Sequence, residues 1–173
     1  NRRVLIQVIS GLVELVNLSQ DKFISAIQPF SQDKSLNPVI RGAALSALYR
    51  FDSRTCLLDE LETYLFLPNQ NNRQCAIQDV INANAFDLLP KVLISPVAPS
   101  FRIRALCSLW TNQPAEFNKT SVISALDTLI LDDPSEIQVL HSYDQRPELN
   151  FLIKEFFHPD FSRCYLSMKY LKL

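Results

Sequence analysis

Apolar residues recur three and four positions apart along this chain, in short blocks separated by polar punctuation. Phe23, Ile24 and Ile27 form one such stripe. Leu57, Leu58, Leu61 and Leu65 form a second, Phe86, Leu88, Leu89 and Val92 a third, and Val122, Ile123, Leu126 and Leu129 a fourth. That period is the period of a helix with one buried face, and it predicts helices near 20–30, 55–66, 83–94 and 119–131. The segments 31–35, 69–72 and 111–114 between the blocks are short and polar. Weaker patterns predict further helices near 134–144, 147–157 and 160–172, where Phe151, Phe156, Phe157, Phe161, Tyr165 and Tyr170 crowd together.

A second kind of helix stands before these, and it repeats. Pro38, Arg41, Ala44, Leu45 and Leu48 spell P-x-x-R-x-x-A-L-x-x-L, and Pro99, Arg102, Ala105, Leu106 and Leu109 spell it again. An aromatic residue follows each copy, Tyr49 and Trp110. Arg73, Ala76, Ile77 and Val80 form a copy without the proline, and residues 2–9 form a weaker one. Arg41, Arg73 and Arg102 stand 32 and 29 residues apart. Proline suits the first helical turn, where its missing N–H is not needed. The alanines let neighbouring helices approach closely, and the leucines fill the layer between them. The repeated arginine is expected to bond carbonyls or an acidic group of a neighbouring repeat. Two helices in about 30 residues make a unit that must stack to bury its face.

Composition narrows the class. Only 2 of 173 residues are glycine, which argues against the tight turns of a strand-rich fold. The chain is 47% hydrophobic and 20% charged, enough for a packed core. A formal net charge of −1 argues against a nucleic-acid binder, and Arg102, Arg104 and Trp110 are read as packing rather than as a basic face with an aromatic. Cys56, Cys75, Cys107 and Cys164 lack C-x-x-C spacing, so no zinc knuckle is expected. Cys75 and Cys107 are expected as buried small hydrophobes in a reducing, cytoplasmic setting. No apolar run reaches the ~18 residues of a membrane span, and no signal peptide is read. Helical pattern at both ends predicts a piece of a longer solenoid.

The repeated helix resembles the first helix of a HEAT repeat, closest to the short HEAT-like type of phycobilisome lyases. The likeness covers about 37–131 well. It implies an all-α, HEAT-like α-α superhelix, a solenoid of antiparallel helix pairs, with regular repeats over 1–131 and divergent helical repeats continuing it over 132–173. The chain is also similar to E/F-type phycobilin lyases. That likeness implies a linear tetrapyrrole bilin as substrate, attached to a phycobiliprotein cysteine. It transfers no catalytic residue.

The residues themselves hold no nucleophile elbow, phosphate loop or zinc signature. His141 and Asp144 would share a helix face, but no third metal ligand is evident, and neither metal nor cofactor is expected. The sequons at Asn17 and Asn118 are read as chance. Carboxylates at 59–62 and 127–136 are read as solvated helix ends. Taken alone, the chain reads as a scaffold that binds a protein partner on a concave face of its second helices. Candidate contact residues there are Lys22, Gln28, Glu60, Tyr64, Asp87, Lys91 and Asp127. The bilin-lyase likeness supplies the alternative, as lyase, lyase subunit or chaperone. Its partner would be a phycobiliprotein or a second lyase subunit.

Overall fold

The computed structural model describes residues 20–111 and 119–172, with Gln7, Val8 and Gly11. Among these every regular element is helical. The order is α1 (Gln20–Gln32), α2 (Pro38–Tyr49), α3 (Thr55–Tyr64), α4 (Gln70–Ala83), a 3-10 turn (Phe86–Leu88), α5 (Leu89–Ile94), α6 (Pro99–Trp110), α7 (Lys119–Leu131), α8 (Leu149–Phe156) and α9 (Phe161–Leu171). The all-α class is therefore observed, and the order is compatible with stacked helix pairs. The weak helical copy at 2–9 and both sequons lie outside the described residues. No described helix is long and apolar enough to cross a membrane.

Local chemistry sets the boundaries. Asn37 caps α2 by accepting from the Val39 N–H at 3.0 Å, with Pro38 in the first turn. Asn69 caps α4, accepting from Asn71 N–H at 2.9 Å. Each such cap contributes about 1 kcal/mol. Asn84 ends α4 in the left-handed region at φ 53°, a conformation asparagine tolerates better than most residues. That turn, followed by Pro90, shortens the helix predicted over 83–94 to a 3-10 turn and the six residues of α5.

The repeated helices α2, α4 and α6 pack side by side, with α3, α5 and α7 following them in turn. Ala44, Ala76 and Ala105 are buried at the crossings, and Leu45, Leu48, Ile77, Leu106 and Leu109 fill the layer. Gly42 sets the closest approach. A Cβ there would collide with the Asp79 carboxylate of α4 and lie 3.3 Å from the Tyr64 ring. Gly42→Ala is therefore expected to destabilise the fold by about 1–3 kcal/mol, despite alanine's better helix propensity. Urea unfolding would measure it, and an unchanged midpoint would contradict the contact.

The three arginines act as struts. Arg41 bonds the Ser31 carbonyl at 3.1 Å and the Glu60 carboxylate. Arg73, fully buried, donates to the carbonyls of Leu67, Pro68 and Pro96 and to Asp160 at 2.5 Å. Arg102, also fully buried, donates to the Leu93 carbonyl at 3.2 Å, to Asp132 at 2.6 Å and to the Tyr165 hydroxyl.

Two expectations are corrected. Residues 134–144 are not a helix. Asp133 folds the chain into a turn by accepting from Ser135 N–H and Oγ, both at 2.8 Å. The Gln138 N–H then goes to Ile94 O at 2.9 Å and the Leu140 N–H to Ser162 Oγ at 2.7 Å. Two of the segment's donors are thus spent on other elements, and Ile137 is buried. His141 and Asp144, both exposed, share no helix face. Cys107 is exposed rather than buried, because it sits one position past Leu106 on the outer side of α6. Cys75 is half-buried.

Candidate functional site

The residues picked from periodicity are spread over several elements. Lys22 on α1, Asp87 in the 3-10 turn and Asp127 on α7 are exposed on three separate elements, and Gln28 is half-buried. Lys91 is held by Glu62 at 2.7 Å. Only Glu60 and Tyr64 meet, one turn apart on α3. The Tyr64 hydroxyl donates to Glu60 at 3.3 Å, and Arg41 bonds the same carboxylate oxygen. Tyr64 is buried at 6% exposure against Gly42 and near Asp79.

That setting controls its ionisation. Burial pushes the Tyr64 hydroxyl up to about 12, and neighbouring Glu60 and Asp79 add to the shift against the pull of Arg41. Tyr165 is raised still further, first by burial and then by its hydrogen bond to Asp132. Both phenols are neutral in the fold, so their contribution to stability is complete below the unfolded value near 10. For Tyr64 it is lost as pH rises through about 12, and for Tyr165 at higher pH still. Tyrosinate absorbance on alkaline titration should show these two ionising late and together with loss of helix. Five tyrosines titrating as one class near 10 would contradict this.

A concavity lies elsewhere, between α5 and α7. It is a groove of about 500 Å³. Phe86, Leu89, Pro90, Leu93 and Ile94 form one wall. Thr120, Ser124, Ala125 and Thr128 form the other, and Glu136 stands at the edge. Its volume falls within the range of small-molecule sites, and its make-up is the usual one, apolar walls with a few polar groups. Pro90 positions the first wall by opening α5, and Ser95, fully buried, fixes the helix end by donating to Leu65 O at 2.8 Å. On the other wall, Thr120, Ser124 and Thr128 fall four apart, so their side chains line one face of α7. Thr128 Oγ1 donates to the Ser124 carbonyl at 2.9 Å.

Sequence reasoning missed this groove because it read Ile123 and Leu126 as the buried stripe of α7. The buried positions are Ala125 and Leu129, while Ile123 and Leu126 are exposed. The side chain of Val122 is outside the described set. The small residues at 120, 124, 125 and 128 were the available signal, since a helix lacking bulk on one face leaves a gap against its neighbour.

No family model matches the chain. The bilin biosynthesis protein CpeY of Synechococcus sp. (strain WH8020) is 36% identical over 171 residues, which is 99% of this chain and 39% of that protein. An uncharacterized phycocyanin operon protein Y of Pseudanabaena tenuis (strain PCC 7409) is 34% identical over 157 residues, 90% of this chain and 37% of that protein. The chain is a homologue of these proteins. The kinship expected from the repeated helix is thus found, at the level of proteins named for bilin biosynthesis and the phycocyanin operon. The chain spans about two fifths of the length of these curated relatives.

Proposed function

We propose that this chain takes part in handling a linear tetrapyrrole destined for a phycobiliprotein cysteine, as part of a bilin lyase, a lyase subunit or a bilin chaperone. The observation that carries this reading is its 36% identity, over 99% of its length, to a protein named for bilin biosynthesis. The groove between α5 and α7 is the proposed seat. A bilin is a flexible, flat chain of pyrrole-type rings with N–H donors along one edge. Apolar walls from Phe86, Leu89 and Leu93 suit its faces, the α7 hydroxyls suit polar substituents, and a carboxylate such as that of Glu136 accepts from ring N–H groups. Adding a thiol across a bilin double bond expels no leaving group. Holding the tetrapyrrole in one geometry is then a large part of the task, and a shaped groove does that.

The protein that receives the bilin, a phycobiliprotein, is the proposed partner. The reading as a general partner scaffold becomes second, because homology to bilin biosynthesis favours the tetrapyrrole. The test is spectroscopic. Phycocyanobilin or phycoerythrobilin mixed with the chain should shift in absorbance and gain fluorescence, saturating at one bilin per chain. An unchanged spectrum at excess protein would remove tetrapyrrole binding by this chain.

A further inference from the structure

A polar cleft of about 250 Å³ lies between two of the repeated helices, α4 and α6, and shares no lining residue with the α5–α7 groove. Its α4 wall carries Gln74, Gln78 and Asn82. They stand four residues apart, so their carboxamides form one stripe along the helix. Gln78 donates to Asn82 Oδ1 at 3.0 Å, which leaves the Gln78 oxygen to accept and the Asn82 amide nitrogen to donate. The α6 wall carries Phe101 and Arg104, and the Arg104 guanidinium lies over the Phe101 ring, 5.1 Å from its centroid. Such stacking occupies the face of the guanidinium and leaves its N–H edge to bond. Arg41, Arg73 and Arg102 each hold a carboxylate, while the exposed Arg104 forms no ion pair among the described residues. Asp79 also lines the cleft, but it is buried, with a carboxylate oxygen against Gly42 of α2. Arg104 is therefore the exposed charge of the lining.

We propose that this cleft binds an extended, acidic peptide segment of a partner protein. A carboxamide offers N–H donors and a carbonyl, the same pairing that a peptide group offers, so it can bond a main chain without reading its sequence. The spacing fits. Four residues of helix rise about 6 Å, and two residues of extended chain span about 6.7 Å. Alternate peptide groups of a strand lying along α4 therefore meet successive carboxamides. Across the cleft, Arg104 takes an aspartate or glutamate side chain of that segment in a two-point bond. A helical segment would bring no free main-chain groups to the carboxamides, and a lone carboxylate would leave them idle. The inference does not depend on tetrapyrrole binding, because the groove lies between other helices.

NMR spectra of the backbone amides and side-chain carboxamides test it, with an end-blocked hexapeptide of alternating threonine and glutamate as the probe. The carboxamide signals of Gln74, Gln78 and Asn82 and the amides of residues 101–104 should shift and saturate. The same peptide with glutamine in place of glutamate should bind about fivefold more weakly, the upper worth of a solvent-exposed ion pair. Arg104→Gln should erase that difference and leave the melting temperature unchanged, since the side chain is exposed. Gln78→Ala should weaken both peptides alike. Carboxamide signals that stay unmoved by the glutamate peptide at millimolar concentration would overturn the proposal. So would acetate that binds as tightly as the peptide, because the cleft would then hold a carboxylate and no main chain. A preference for glutamate that survives Arg104→Gln would overturn it as well.

Discussion

Arg102→Ala should cost about 3 kcal/mol of folding stability, a shift of roughly a hundredfold in the folded-to-unfolded ratio. The guanidinium has no exposed surface and joins three elements: the Leu93 carbonyl at the end of α5, Asp132 after α7, and Tyr165 on α9. Truncation leaves the Leu93 carbonyl without this donor and the Asp132 carboxylate without its charge partner. Asp132 is 30% exposed, so water compensates in part and the loss falls at the lower end of the range for breaking buried pairs. Asp132 also holds a left-handed backbone at φ 40°, and the clasp formed by Arg102 and the Tyr165 hydroxyl keeps it there. Asp132→Asn should be milder, since asparagine tolerates that conformation and still accepts from Tyr165. Urea unfolding followed by circular dichroism measures both. A loss below about 1 kcal/mol for Arg102→Ala would mean the strut is replaceable by water.

Ser124→Trp should weaken bilin binding at least tenfold while changing the melting temperature little. Ser124 is an exposed wall residue of the α5–α7 groove, so an indole can occupy the space without displacing the core. The groove is about 500 Å³, and filling a large part of it leaves no room for a four-ring ligand. Ile103→Trp is the matched control, because Ile103 is exposed on α6 and lines no part of the groove. Fluorescence titration with phycocyanobilin would compare the two. Equal affinity in both variants would place any bilin elsewhere on the chain.

Much of the fold could be read from residue pattern because its key features are local. Pro38, Arg41, Ala44 and Leu45 sit within three turns of one helix, and each does in the structure what its chemistry suggests. That the arginines would hold carbonyls and carboxylates was legible, but which ones was not. Arg73 finds Asp160 and Arg102 finds Tyr165 across 87 and 63 positions, and no local pattern encodes such a pairing. The stretch 134–144 misled because alternating apolar residues there serve an anchored turn, in which the Gln138 and Leu140 N–H groups bond Ile94 and Ser162 instead of continuing a helix. The groove was hidden for a related reason. α7 is apolar on two sides, and periodicity alone does not say which side faces α5. Of the contact residues proposed from polarity, Tyr64 bonds Glu60 one turn away, and Lys91 pairs with Glu62 on another helix, a partner distant in the chain.

The central claim is that this chain holds a linear tetrapyrrole between α5 and α7. Two-dimensional amide NMR spectra recorded while phycocyanobilin is added test it most directly. The account predicts shifts concentrated in residues 86–94, in 120–128 and at Glu136, saturating at one bilin per chain. Amides that stay unmoved with bilin in excess would contradict it, as would shifts centred instead on the Gly42, Tyr64 and Asp79 contact.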